Sequence, residues 1–148
     1  MEMRILLLNG PNLNLLGTRE PAVYGRDTLD EIVGKVNAMA QELGVEVTAF
    51  QSNHEGAIVD FIQENQASAD AIIINPGAFG HYSYAIRDAI SGSNLPTVEV
   101  HISNVHAREP FRETLVLSGA CKGVITGLGW RGYMYALDLL VASAKEGK

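Results

Sequence analysis

Arg4-Ile5-Leu6-Leu7-Leu8 carries four consecutive aliphatic residues and stops at Asn9-Gly10-Pro11. A half-exposed strand would alternate apolar and polar residues. A run that is apolar at every position suits a strand buried on both faces, as in a parallel sheet covered by helices. Outward along the chain the pattern returns at Val45 to Phe50, Ala71 to Ile74, Thr97 to Ile102 and Gly123 to Thr126, each followed by a helix-like stretch. Five βα units are predicted, and the 148 residues make one doubly wound α/β domain spanning residues 1–148.

Helix starts support this reading. Thr28 with Glu31, and Ser52 with Glu55, have the spacing of capping boxes just before apolar-periodic segments. The first helix places Leu29, Ile32, Val33, Val36, Ala40 and Leu43 on one stripe and stops at Gly44. A short fourth helix is predicted around Phe111 to Leu117. The last helix, around Tyr133 to Ala144, is apolar on more than one side, which suggests a subunit contact.

Composition excludes several function classes. No apolar stretch approaches the ~18 residues that span a bilayer, so a soluble, non-membrane protein is expected. A net charge of −6 provides no global positive field for nucleic acid or an anionic membrane, so an anionic ligand must be held locally. The start of the chain lacks the pattern of a secretory signal, and a cytoplasmic location is expected. The lone Cys121 reads as a structural thiol, and His54 and His106 as structural or surface residues.

In an open parallel sheet the ligand crevice lies beyond the carboxyl ends of the strands. After the first strand, residues 9–25 form a connection far longer than the usual ~2–6 residues. Its leucines and Val23 argue for packing. Arg19, Pro21, Tyr24 and Gly25 give residues 17–26 the character of a lid, with an ordinary surface loop as the alternative. After the third strand, Asn75-Pro76-Gly77-Ala78-Phe79-Gly80-His81-Tyr82-Ser83 combines glycines that allow close backbone approach with two hydrogen-bonding side chains, Asn75 and His81. A tight turn capped by Ser83 is the alternative there.

The fourth strand is the most informative. In Thr97-Val98-Glu99-Val100-His101-Ile102 the period of two puts Glu99 and His101 on one face. A carboxylate in a central strand is costly without a partner, and His101 is the nearest. Such a pair orients the imidazole and favours its proton-bound form, as a general acid requires, although a purely structural pair has the same pattern. Beyond it, Ser103 to Arg112 supplies a hydroxyl, backbone donors and two arginines. Pro110 suits a helix start, which would put Arg112 in a first turn where the helix dipole disfavours a cation. Anion or hydroxyl binding is then the better account of Arg112.

Other chemistries lack their motifs. Lys35, Lys122, Lys145 and Lys148 fall on a helix, a strand start and the tail, away from any Schiff-base position. The histidines have no metal-ligand spacing, and the first loop has neither GxGxxG nor a Walker lysine. Asn9 and Asn75 stand where a phosphoacceptor domain would need carboxylates. Proton transfer on a small polar ligand remains.

Several long segments then carry a resemblance. Asn9 to Gly17 with Arg19-Glu20-Pro21 and Tyr24-Gly25, Gln51 to Gly56, Asn75-Pro76-Gly77 with His81, Glu99 to Arg108 with Arg112, and Gly132-Tyr133 together resemble the type II 3-dehydroquinate dehydratases over essentially the whole chain. The resemblance implies a flavodoxin-like five-stranded parallel sheet of order 2-1-3-4-5. It implies a cofactor-free hydro-lyase that converts 3-dehydroquinate to 3-dehydroshikimate through an enolate, in the shikimate route to aromatic amino acids. It also implies a homo-dodecamer built from trimers.

By the same likeness Tyr24 is the base that removes the C2 proton. A phenol does this near neutral pH only if a cation favours its ionised form, and Arg19 and Arg108 are the candidates. The resemblance assigns enolate stabilisation to a water held near Asn12, Pro11 and Gly77. It makes His101, oriented by Glu99, the acid and gives the departing oxygen to Asn75. The substrate carboxylate goes to Ser103 and the Ile102–Ser103 amides, and the ring hydroxyls to His81 and Arg112. Asp88 would reach in from a neighbouring subunit. Gly80 and Tyr82 depart from the small hydroxyl residues often found beside His81 in that family. A non-catalytic module using the same crevice, or another lyase or isomerase acting beside a carbonyl, would share much of this pattern.

Overall fold

The computed structural model describes residues 2–18 and 20–147. Five strands, β1 (Arg4–Asn9), β2 (Glu46–Gln51), β3 (Ala71–Asn75), β4 (Thr97–His101) and β5 (Gly123–Thr126), form one parallel sheet in the order β2-β1-β3-β4-β5. The helices are α1 (Pro21–Tyr24), α2 (Leu29–Leu43), α3 (Glu55–Asn65), α4 (Tyr84–Ser93) and α5 (Arg131–Lys145). The predicted flavodoxin-like topology is therefore the observed one.

Two cores explain the unbroken apolar strands. On one face Ile5, Leu7, Ile73, Val98 and Val100 pack against Ile32 and Val36 of α2 and Tyr133, Leu137 and Leu140 of α5. On the other, Leu6, Leu8, Ile72 and Ile74 meet Ile58 and Ile62 of α3 and Ile86 and Ile90 of α4. Each fully buried side chain of this size contributes about 1.5–3 kcal/mol, which is why neither face of β1 or β3 tolerates a polar residue until the strand ends. Those ends are set side by side, because Asn9 pairs with Asn75 in the register. The strand order reverses between β1 and β3, so the crevice opens there.

Thr28 caps α2, its hydroxyl accepting from the Glu31 amide at 3.2 Å, and Gly44 ends the helix at φ +72°. The second capping box does not form. Ser52 accepts from the His54 amide at 2.9 Å in a turn before α3, and the Glu55 carboxylate instead accepts from the Ser83 hydroxyl. Ser83 also caps α4 by accepting from Ile86 N at 3.1 Å.

The predicted helix over Phe111 to Leu117 is absent. The connection between β4 and β5 contains 3-10 turns at Val105–Ala107, Pro110–Glu113 and Ser118–Ala120. Its backbone groups bond sideways. Val116 N donates to Gly80 O at 2.8 Å, Arg87 Nη1 donates to Val116 O at 2.6 Å, and His81 Nδ1 donates to Thr114 O at 2.9 Å. These partners satisfy the polar main chain without a helix, while Leu117 still fills the core. The dipole argument for Arg112 falls with that helix.

On α5, Tyr135 and Leu139 are exposed opposite the buried face, so this helix is apolar on both sides. The Cys121 thiol donates to Leu117 O at 3.4 Å, and burial, reinforced by the Glu99 charge, pushes it up to about 12. No helix among the described residues is long and apolar enough to cross a membrane.

Candidate active site

The site begins where β1 and β3 end. Gly10 N donates to Asn75 O at 2.8 Å, and a Cβ on Gly10 would lie 2.1 Å from Pro76 O, so only glycine lets the first and third loops touch. Below them, Asn75 Nδ2 donates to the Tyr133 hydroxyl at 2.9 Å, which donates to Asn9 Oδ1 at 2.6 Å. Asn75 Oδ1 accepts from Gly77 N at 3.1 Å. Burial raises the Tyr133 phenol and keeps it protonated. This chain of donors fixes which way the Asn75 amide faces. Tyr133 and Asn9 thus support the site, a role that sequence reading missed because their contact spans 124 positions.

The first loop leaves β1 through Asn12, a left-handed residue at φ +69°. Its amide donates to Asn53 Oδ1 at 3.0 Å, and Gln51 Nε2 donates to Gly10 O at 3.1 Å. The end of β2 therefore braces the loop. Farther on, α1 brings the Tyr24 ring to 5.1 Å from the Arg108 guanidinium. Arg108 Nη1 donates to Ser103 Oγ at 3.1 Å. Arg19 lies outside the described residues.

β4 delivers the predicted pair. Glu99 is wholly buried, His101 nearly so, and His101 Nε2 lies 2.5 Å from Glu99 Oε2. With Nε2 turned to the carboxylate, Nδ1 is the ring nitrogen left for a ligand. The other carboxylate oxygen, Oε1, accepts from Ser118 Oγ at 2.7 Å. Sequence reading passed over Ser118, which sits in an irregular turn 19 positions away. The one available signal was that a buried carboxylate needs partners for both oxygens.

His81 stacks 6.2 Å from His101. Its Nδ1 faces a carbonyl, which only accepts, so Nδ1 carries the hydrogen and Nε2 of the neutral ring is an acceptor. Burial is the main cause that lowers its affinity for a second proton. Arg112 Nε donates to Glu109 Oε1 at 2.8 Å, and that hydrogen bond holds Glu109 down at about 2. Arg108 lies 3.8 Å from the same oxygen, so two cations share one carboxylate. Glu109 was not anticipated as their partner.

These groups border one cleft. Asn12, Tyr24, Asn75, Gly77, His81, His101, Ile102, Ser103, Arg108 and Arg112 all line it, and Glu99 lies beneath His101. Asp88 is exposed on α4, away from the cleft of its own chain. Gly80 is buried against the dyad, where an added Cβ would come within 2.8 Å of Pro76 Cγ and 3.4 Å of His101 Cε1, whereas Tyr82 is exposed. Among the described residues no cluster of three His, Cys, Asp or Glu could hold a metal ion. The cleft has a carboxylate-supported imidazole, a phenol beside a guanidinium and oriented amides, the groups needed for proton removal and return on a small polar molecule.

Comparison with known proteins gives a consistent result. A family model described as Dehydroquinase class II matches residues 3–141. A catabolic 3-dehydroquinase of Aspergillus clavatus is 56% identical over 146 residues, covering 99% of this chain and 97% of the relative. A 3-dehydroquinate dehydratase of Roseiflexus castenholzii is 52% identical over 145 residues, covering 98% and 92%. The crystal structure of type II dehydroquinase from Butyrivibrio crossotus superposes with a TM-score of 0.92 at 50% identity, covering 94% of this chain and 97% of that one.

Proposed function

The chain belongs to the class II dehydroquinase family, and from that premise we infer that its cleft dehydrates 3-dehydroquinate to 3-dehydroshikimate, a hydro-lyase reaction of the shikimate pathway. The observation that carries the reading is the buried Glu99–His101 pair opening onto the same cleft as Tyr24 and Arg108.

Tyr24, as phenolate, takes the C2 proton beside the ketone, and the Arg108 guanidinium, 5.1 Å from its ring, supplies positive charge there. Arg19, as the resemblance suggests, would add to it. The electrons move into an enolate. Asn12 and Gly77, through a water, face the developing charge, and one preorganised donor of this kind is worth roughly 3–4 kcal/mol. The C1–O bond then breaks and His101 Nδ1 gives its proton to the departing oxygen, which leaves as water beside Asn75. His101 keeps its Nε2 hydrogen throughout, with Glu99 Oε2 accepting from it. Ser103 and the Ile102–Ser103 amides take the substrate carboxylate. Arg112 donates to a ring hydroxyl, and His81 Nε2 accepts from another.

On likeness alone, the subunits assemble as trimers into a dodecamer in the cytoplasm, with Asp88 completing a neighbour's cleft. The exposed Tyr82 and Tyr84 beside α4 support a contact there. Residues 17–26 close over bound substrate, which the position of Tyr24 at the cleft supports. The test is direct. Purified protein with 3-dehydroquinate should develop the enone absorbance of 3-dehydroshikimate, and no signal anywhere between about pH 6 and 9 overturns the reading.

A further inference from the structure

Glu99 has both carboxylate oxygens engaged at full burial, one by the imidazole it supports and the other by a hydroxyl from a different part of the chain. A hydrogen bond from a neutral donor favours the charged form of a carboxylate, and in a dry site the effect is larger than in water. The Ser118 hydroxyl therefore acts on the same charge that His101 depends on, from the opposite side.

The turn that presents Ser118 is braced independently of the dyad. Val116 is held through Gly80 and Arg87, Cys121 N donates to Ser118 O at 3.1 Å, and Lys122 N donates to Thr97 O at 2.7 Å at the foot of β4. Leu117, next to Ser118, is wholly buried. The hydroxyl is thus delivered at a set position and does not depend on Glu99 to hold it there.

We propose that Ser118 is a positioning residue for the dehydration, acting through Glu99 to keep the carboxylate ionised and His101 aligned with its transferable proton on Nδ1. This rests on the assignment of His101 as the acid. In the step itself the Nδ1 hydrogen passes to the leaving oxygen, the C1–O bond electrons go with that oxygen, and the Nε2 hydrogen stays between ring and carboxylate. Without the Ser118 donor the carboxylate competes for the Nε2 proton. The imidazole–carboxylate pair then holds its proton more tightly.

The charged or titratable groups facing the pair are few. His81 from the β3–α4 segment is kept neutral mainly by burial, Cys121 stays a thiol near its value of about 12, and Arg87 of α4 lies against Gly119. Arg112 acts on His81, and Tyr24 with Arg108 borders the same cleft. None of these donates to Glu99 Oε1 as Ser118 does.

The experiment compares wild type with Ser118→Ala and Ser118→Thr. It measures kcat and KM for 3-dehydroquinate against pH, the thermal midpoint, and the His101 titration by imidazole nitrogen NMR in the unliganded protein. In Ser118→Ala, kcat should fall about tenfold with KM within about twofold, and the basic limb of kcat should move to higher pH. The His101 titration should move the same way. Ser118→Thr, which keeps the hydroxyl, should restore both. An unchanged His101 titration and kcat–pH profile in Ser118→Ala, whether or not the thermal midpoint drops, overturns the proposal, as does a shift to lower pH. The NMR titration stands apart from turnover, so a protein inactive on 3-dehydroquinate would sink the functional reading while Ser118 was still tested.

Discussion

The Tyr133 hydroxyl donates to Asn9 Oδ1 at 2.6 Å and so ties the start of α5 to the end of β1. Because the same oxygen accepts from Asn75, one buried phenol sets the orientation of an amide in the cleft. Tyr133→Phe strands a buried acceptor and a buried donor, each worth about 1–3 kcal/mol when left unpaired. A loss of roughly that size should appear in urea denaturation, together with a lower kcat. Unchanged stability and turnover would show that the network is dispensable.

Tyr24→Phe removes the proposed base and leaves the ring on Arg108. Turnover should fall by at least the ~10²–10⁴ that acid–base groups supply, while product binding by calorimetry stays close to wild type. If turnover survives, the base lies elsewhere.

His81 gives a pH-dependent stability term. Its folded value is lowered from the usual 6.5, chiefly by burial. As pH falls below 6.5 towards the lower folded value, the unfolded chain takes up a proton that the folded ring still refuses, so stability present at neutral pH is lost on acidification. Denaturant midpoints followed from neutral pH to about pH 5 should decline less steeply in His81→Asn than in wild type. Parallel curves would count against this.

Gly10→Ala puts a methyl where Pro76 O stands 2.1 Å away, and this neighbour is backbone. The first and third loops must separate, costing about 1–3 kcal/mol or more. Turnover should collapse even where the circular dichroism of the sheet persists. An active Gly10→Ala enzyme would mean that the loops tolerate separation.

The sheet was readable because burial on both faces writes itself into consecutive aliphatics such as Ile5 to Leu8 and Ile72 to Ile74. Glu99 and His101 were readable because a strand imposes a period of two. Ser118, Tyr133, Asn53 and Gln51 were not, since each meets its partner through a chain fold that no local periodicity records. The missing fourth helix has a similar cause. Residues 110–117 satisfy their main chain through Gly80, Arg87 and His81, which lie far away in sequence. Ser52 had the correct spacing for a cap, but Glu55 found a better donor in Ser83.

Arg108 and Arg112 lean on the single carboxylate of Glu109 within a protein of net charge −6. A negatively charged guest therefore meets repulsion from the molecule as a whole, while the attraction of these two guanidiniums reaches only about one Debye length, some ~8 Å at physiological ionic strength. Capture is short-sighted. Moderate salt should ease the approach before it weakens the grip, the opposite of the behaviour of an enzyme that reels in its anion from afar.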